Sequence, residues 1–98
     1  MEKCPHCRTK VRTEDEYKSL MNRLSRIEGQ VRGIRRMLEE DAYCPDILTQ
    51  AAAVNAAVSA FAKELLAEHI RTCVADDIRA GKDETVDELI DTLKRLMR

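Results

Sequence analysis

TEDEYKSLMNRLSRIEGQVRGIRRMLEE, residues 13–40, decides the fold. Tyr17, Leu20, Leu24, Ile27, Val31, Ile34 and Leu38 recur at alternating steps of three and four. That is a coiled-coil-like seam about three heptads long, the period of a helix and not of a strand. Thr13 and Glu16 stand ahead of it at the spacing of a capping box, so the helix begins at Thr13. Gly29 and Gly33 inside the seam cost helix stability but allow a second helix to come close.

On the carboxyl side, Asp41 to Cys44 interrupts the period. Cys44-Pro45-Asp46 then reads as a new helix start, because proline in a first turn loses no hydrogen bond. Ile47, Leu48, Val54, Val58, Phe61, Leu65, Leu66 and Ile70 carry this second helix to about Ala80, where Gly81 stops it. Its middle, residues 51–62, is rich in alanine on several faces, which fits burial on more than one side at short interaxial distance. Val86, Leu89, Ile90, Leu93 and Leu96 predict a third helix, roughly Glu84 to Met97. On the amino side, residues 1–12 have no apolar period and read as a flexible arm before a helical domain over 13–98.

The composition agrees with an all-α protomer of three helices. With three Gly and two Pro in 98 residues, too few turn formers exist to punctuate a sheet. With no Trp, one Phe and two Tyr, the chain has little bulk for a core of its own, and a partner copy is expected to complete it. No apolar run approaches the ~18 residues that span a bilayer, and no signal peptide precedes the charged start. A cytoplasmic protein without membrane contact is expected. In that compartment four cysteines read as metal ligands or redox-active thiols rather than as a disulfide framework.

The net charge is −1, but it is unevenly spread. Lys18, Arg23, Arg26, Arg32, Arg35 and Arg36 share residues 18–36 with one acid, Glu28, whereas eleven acids face seven bases from Asp41 onward. A local basic stripe on the outward faces of the first helix suits the phosphates of a duplex, and Lys63 on the second helix is a further candidate. A solvated face is the plainer account of any charge run.

His69 and Cys73 are four apart and share a helical face. Cys44 lies 25 residues before His69 on the same helix, about 37 Å away at 1.5 Å per residue. One chain cannot close a site from the three. Two antiparallel copies can, by setting Cys44 of one beside His69 and Cys73 of the other, and two-fold symmetry makes two such sites. Two thiolates and one imidazole form a soft, three-coordinate set that suits Cu(I), whereas structural zinc wants a fourth ligand. No acid–base pair in a recognisable cleft suggests an enzyme.

Asn22-Arg23-Leu24, the run Arg26 to Ile34, Asp41-Ala42-Tyr43-Cys44-Pro45-Asp46-Ile47-Leu48, His69 with Cys73, and Asp87-Glu88-Leu89-Ile90-Asp91 resemble the CsoR/RcnR/FrmR repressors over about residues 15 to 95. The resemblance implies a disc-like dimer of dimers that binds operator DNA without a helix-turn-helix and leaves it when metal binds, derepressing copper-resistance or efflux genes. The Cys44, His69, Cys73 set is similar to the copper-sensing branch. Nickel and cobalt sensors use an amino-terminal His where this chain has Arg12. Persulfide sensors lack the His, and formaldehyde sensors lack the last cysteine. The resemblance further implies that Tyr43 and Glu88 hydrogen-bond the imidazole nitrogen that does not bind copper. It also implies an arginine three residues before Lys63, where this chain has Ala60, so the first-helix set is the firmer DNA-contact candidate. The alternatives are a sensor of zinc, nickel or persulfide, or a metal chaperone that binds no DNA.

Cys4-Pro5-His6-Cys7 stands outside that pattern. It is half of a zinc-ribbon knuckle without its second half. An auxiliary copper or zinc site of Cys4, His6 and Cys7, a thiol that hands metal onward, and a plain tail are all compatible with it.

Overall fold

Thr13 caps the first helix as its spacing predicts. Its hydroxyl accepts the Glu16 N–H at 3.1 Å, and its own N–H donates to Glu16 Oε1 at 2.8 Å. These contacts come from a computed structural model of the protein, which describes residues 12–97. The elements are α1 (Glu14–Glu39), α2 (Cys44–His69), a π-helical turn (Ile70–Val74), α3 (Ala75–Arg79) and α4 (Glu84–Leu96). The described residues contain no strand, and the protein is all-α.

Both long helical runs end in the same way. Beyond α1, Asp41 takes φ 54°, its N–H bonds the Leu38 carbonyl at 3.2 Å, and the Ala42 N–H bonds the Met37 carbonyl at 2.9 Å. Beyond α3, Gly81 takes φ 81°, its N–H bonds the Ile78 carbonyl at 3.0 Å, and the Lys82 N–H bonds the Asp77 carbonyl at 2.8 Å. Each is a Schellman motif, which supplies the last carbonyls with donors and turns the chain out of the helix. Between them α2 starts on the Tyr43 carbonyl, which accepts the Asp46 and Ile47 N–H groups at 2.9 and 3.3 Å.

The expected second helix does run from Cys44 to Arg79, but not as one uninterrupted α-helix. Over Ile70–Val74 the bonding step lengthens to five residues, so that the Ala75 N–H reaches the Ile70 carbonyl. Such π turns are rare and occur often at functional sites. Side-chain periodicity carries no sign of one.

Two units can be distinguished. In residues 13–64, Glu64 near the end of α2 receives the Ser19 hydroxyl on Oε1 at 2.9 Å and Arg23 Nε on Oε2 at 3.1 Å, both from the start of α1. The two helices therefore run antiparallel. In Arg12 with residues 65–97, buried Thr85 of α4 donates to Asp77 Oδ2 of α3 at 2.8 Å, and Cys73 and Val74 are buried.

Leu20, Cys73 and Val74 are the buried apolar side chains of the lone chain among the described residues. Val31, Leu38, Leu48 and Val58 of the two long helices are exposed, Leu38 and Leu48 by about two thirds (67% and 63%). The alanines at 51, 52, 53 and 56 are exposed as well. No helix is long and apolar enough to cross a membrane among the described residues.

Candidate metal centre

α2 carries Cys44 as its first residue and His69 as its last, and the π turn that follows carries Cys73. Cys44 is a free, exposed thiol. His69 is half-buried, Cys73 is buried, and neither side chain lacks a partner. The four cysteines read from the sequence as metal ligands or redox-active thiols rather than as a disulfide framework, whereas the Cys73 sulfur is disulfide-bonded. It can ligate a metal only once that bond is reduced. Cysteine connectivity cannot be deduced from sequence, and for that reason spacing gave no warning. Within one chain, the described residues bring no three His, Cys, Asp or Glu side chains together around a metal position.

The surroundings of the π turn are polar. The Thr72 hydroxyl donates to the Glu68 carbonyl at 2.8 Å and lies 3.9 Å from Cys73 Sγ. Glu68 is 3% exposed, and its Oε1 lies 2.6 Å from Arg12 Nε. That Nε is buried without a well-aligned acceptor, so the contact is an ion pair rather than a good hydrogen bond. A charge this deeply buried is rare unless paired. Sequence reasoning marked Arg12 only as a residue that cannot ligate, and it missed Glu68 altogether, because the two are 56 positions apart.

Tyr43 is exposed at the entrance to α2. Glu88 is exposed on α4, where its carbonyl accepts the Thr92 hydroxyl at 3.0 Å, and its interactions leave it no free residue. Of the basic candidates, Arg26, Arg32, Arg35, Arg36 and Lys63 are exposed. Lys18 pairs with Glu14 at 3.3 Å one turn away, and Arg23 is held by Glu64 at 3.1 Å. Cys4, His6 and Cys7 lie outside the described residues.

The donor chemistry fits Cu(I), since two sulfurs and an imidazole make a soft set. Residues 16–95 match the model of a family described as metal-sensitive transcriptional repressor. The chain is 47% identical over 88 residues to the copper-sensing transcriptional repressor CsoR of Bacillus subtilis, covering 89% of this chain and 87% of that one. It is 47% identical over 79 residues to the copper-sensing repressor RicR of Mycobacterium tuberculosis, covering 78% and 82%. Among solved structures, the copper-sensing repressor CsoR with Cu(I) from Geobacillus thermodenitrificans superposes with a TM-score of 0.84 at 44% identity, over 90% of this chain and 93% of that one. The nickel-responsive regulator InrS superposes with a TM-score of 0.74 at 36% identity, over 88% and 98%. A match along nearly the whole helical part, in sequence and in backbone, makes this chain a member of the metal-sensitive transcriptional repressor family, a class of regulators and not of enzymes.

Proposed function

We propose that this protein is a Cu(I)-responsive repressor. Without metal it holds double-stranded operator DNA; with Cu(I) bound at Cys44, His69 and Cys73 it lets go, and copper-resistance genes are expressed. The observation that carries the reading is the donor set itself, a free thiol at one end of α2 and an imidazole and a sulfur at the other. The copper-sensing relatives support the choice of metal.

Two α2 helices packed antiparallel complete each site from two protomers, and the exposed alanines and Leu48 supply the apolar face for that packing. Pairs of such dimers form a homotetramer in the cytoplasm. Bound Cu(I) supplies a soft cation that draws two thiolates and an imidazole together. A ligating imidazole is oriented by a partner on its other nitrogen. Tyr43 and Glu88 take that role, and through Glu88 the engaged imidazole restrains α4. Arg26, Arg32, Arg35, Arg36 and Lys63, with Lys18 and Arg23 more weakly, meet the phosphates. DNA is released because the metal-bound arrangement holds it less well than the metal-free one.

A nickel response is the second reading, favoured by the likeness to InrS. It is the weaker one, since Arg12 is engaged with Glu68 and offers no ligand.

The test is a titration of the reduced, operator-bound protein with Cu(I), following metal stoichiometry and DNA release together. We expect release to be complete at one Cu(I) per protomer and absent with Ni(II). Binding of copper with the operator still held would overturn the reading.

A further inference from the structure

Ser19 and Arg23 are four residues apart on α1 and share a face. Both donate to one carboxylate. The Ser19 hydroxyl reaches Glu64 Oε1 at 2.9 Å, and Arg23 Nε reaches Oε2 at 3.1 Å. Each oxygen therefore has its own donor, one neutral and one charged. A phosphodiester offers the same kind of acceptor, two oxygens sharing one negative charge, and hydroxyl and guanidinium groups are common holders of it in duplexes. The cluster is open to solvent. The Arg23 and Glu64 side chains are 41% and 32% exposed, so the ion pair is worth little by itself and an outside anion can reach its donors. Arg26 follows Arg23 by three residues on α1 and Lys63 precedes Glu64 on α2, both exposed, so the surrounding charge also favours an anion.

We propose that Ser19 and Arg23 form a phosphate subsite, filled by the Glu64 carboxylate in the DNA-free protein and by a phosphodiester of the duplex on binding. The proposal rests on the reading that this protein holds duplex DNA. Ser19 is then a DNA contact that charge counting overlooks, because it carries no charge, and Glu64 is a competitor built into the chain.

The step is an exchange of anions, with no bond made or broken and no proton moved. As the phosphate arrives, both donors turn from Glu64 to the phosphate oxygens, and the carboxylate swings into water and gathers a cation. That uptake offsets the counterion the phosphate gives up, so Arg23 adds little to the salt dependence of the parent. Glu64 thus keeps the grip on DNA below what the basic residues could deliver.

The experiment measures affinity of the reduced, metal-free protein for a fluorescein-labelled duplex of mixed sequence, since phosphate contacts carry no sequence information. Anisotropy is followed from about 50 to about 200 mM salt. Glu64→Gln removes the competing charge and keeps the size of the side chain. It should steepen the slope of log affinity against log salt by about one, so that the fall in affinity over that range grows roughly 3.5-fold. Glu64→Ala should repeat the gain. Adding Arg23→Ala to Glu64→Gln should remove it. Adding Ser19→Ala to Glu64→Gln should lower affinity about tenfold at every salt concentration and leave the slope alone, because a neutral donor displaces no counterion. Far-ultraviolet circular dichroism should match the parent throughout. An unchanged slope in both Glu64 variants, the same gain with Arg23 absent, or no cost from Ser19→Ala in the Glu64→Gln protein overturns the proposal while the DNA reading stands. A duplex bound by neither the parent nor Glu64→Gln at the lowest salt overturns the DNA reading, and the subsite with it.

Discussion

Asp41 and Gly81 occupy the same left-handed position in two Schellman motifs, at φ 54° and 81°, and the same question has opposite answers at each. A Cβ at Gly81 meets no atom within 4 Å, so Gly81→Ala loses stability through backbone strain alone, about 1 kcal/mol or somewhat more. Asp41→Gly relieves strain that aspartate tolerates better than most residues, but it gives the unfolded chain more freedom, and the net change stays within about 0.5 kcal/mol. Urea denaturation at one protomer concentration measures both. On the proposed reading Glu88 belongs to the same scale, with a role in coupling. Glu88→Ala, and Tyr43→Phe less severely, should bind one Cu(I) per protomer yet stay on the operator when loaded. Coupling free energies are typically about 1–3 kcal/mol, so one lost hydrogen bond removes most of the response. Operator affinity with and without Cu(I) checks this; full release by Glu88→Ala moves the coupling to the thiolates themselves.

The helices were largely legible in the residues. The capping box at Thr13, the start at Cys44-Pro45 and the stop at Gly81 are local devices, written within a few positions of where they act. What escaped was set by distant partners. Glu64 reads as one acid among many, yet it holds Ser19 and Arg23 from 45 and 41 positions away. The π turn depends on backbone bonding that no side-chain pattern records. The Arg23 contact changes what the basic stripe of α1 is expected to do. Arg26→Ala should lower the slope of log affinity against log salt by about one, as one phosphate contact is lost. Arg23→Ala should lower it less, because Glu64 already offsets that charge. Copper affinity should be unchanged in both. Equal slopes for parent and Arg26→Ala would reduce the stripe to a solvated face.

At the scale of the whole molecule, the site is proposed to belong to the pair of chains. Mixing a Cys44→Ala protein with a His69→Ala/Cys73→Ala protein should restore part of the high-affinity copper binding, since one site of each mixed dimer keeps all three ligands while the other has none. No recovery after demonstrated subunit exchange would exclude the antiparallel pairing. The composition leaves the core to be completed by a partner copy, and in the lone chain Leu20, Cys73 and Val74 are the buried apolar side chains among the described residues. If the proposed pairing holds, a protomer so thinly cored is a substrate for proteases until it meets its copy, because degradation follows the population that is open. Substitutions on the outer faces of α1 and α2 are therefore expected to reveal themselves in cells as shortened protein lifetime. A strain that has lost repression through Leu48 or Val58 would carry too little repressor, and purified protein at high concentration would look healthy.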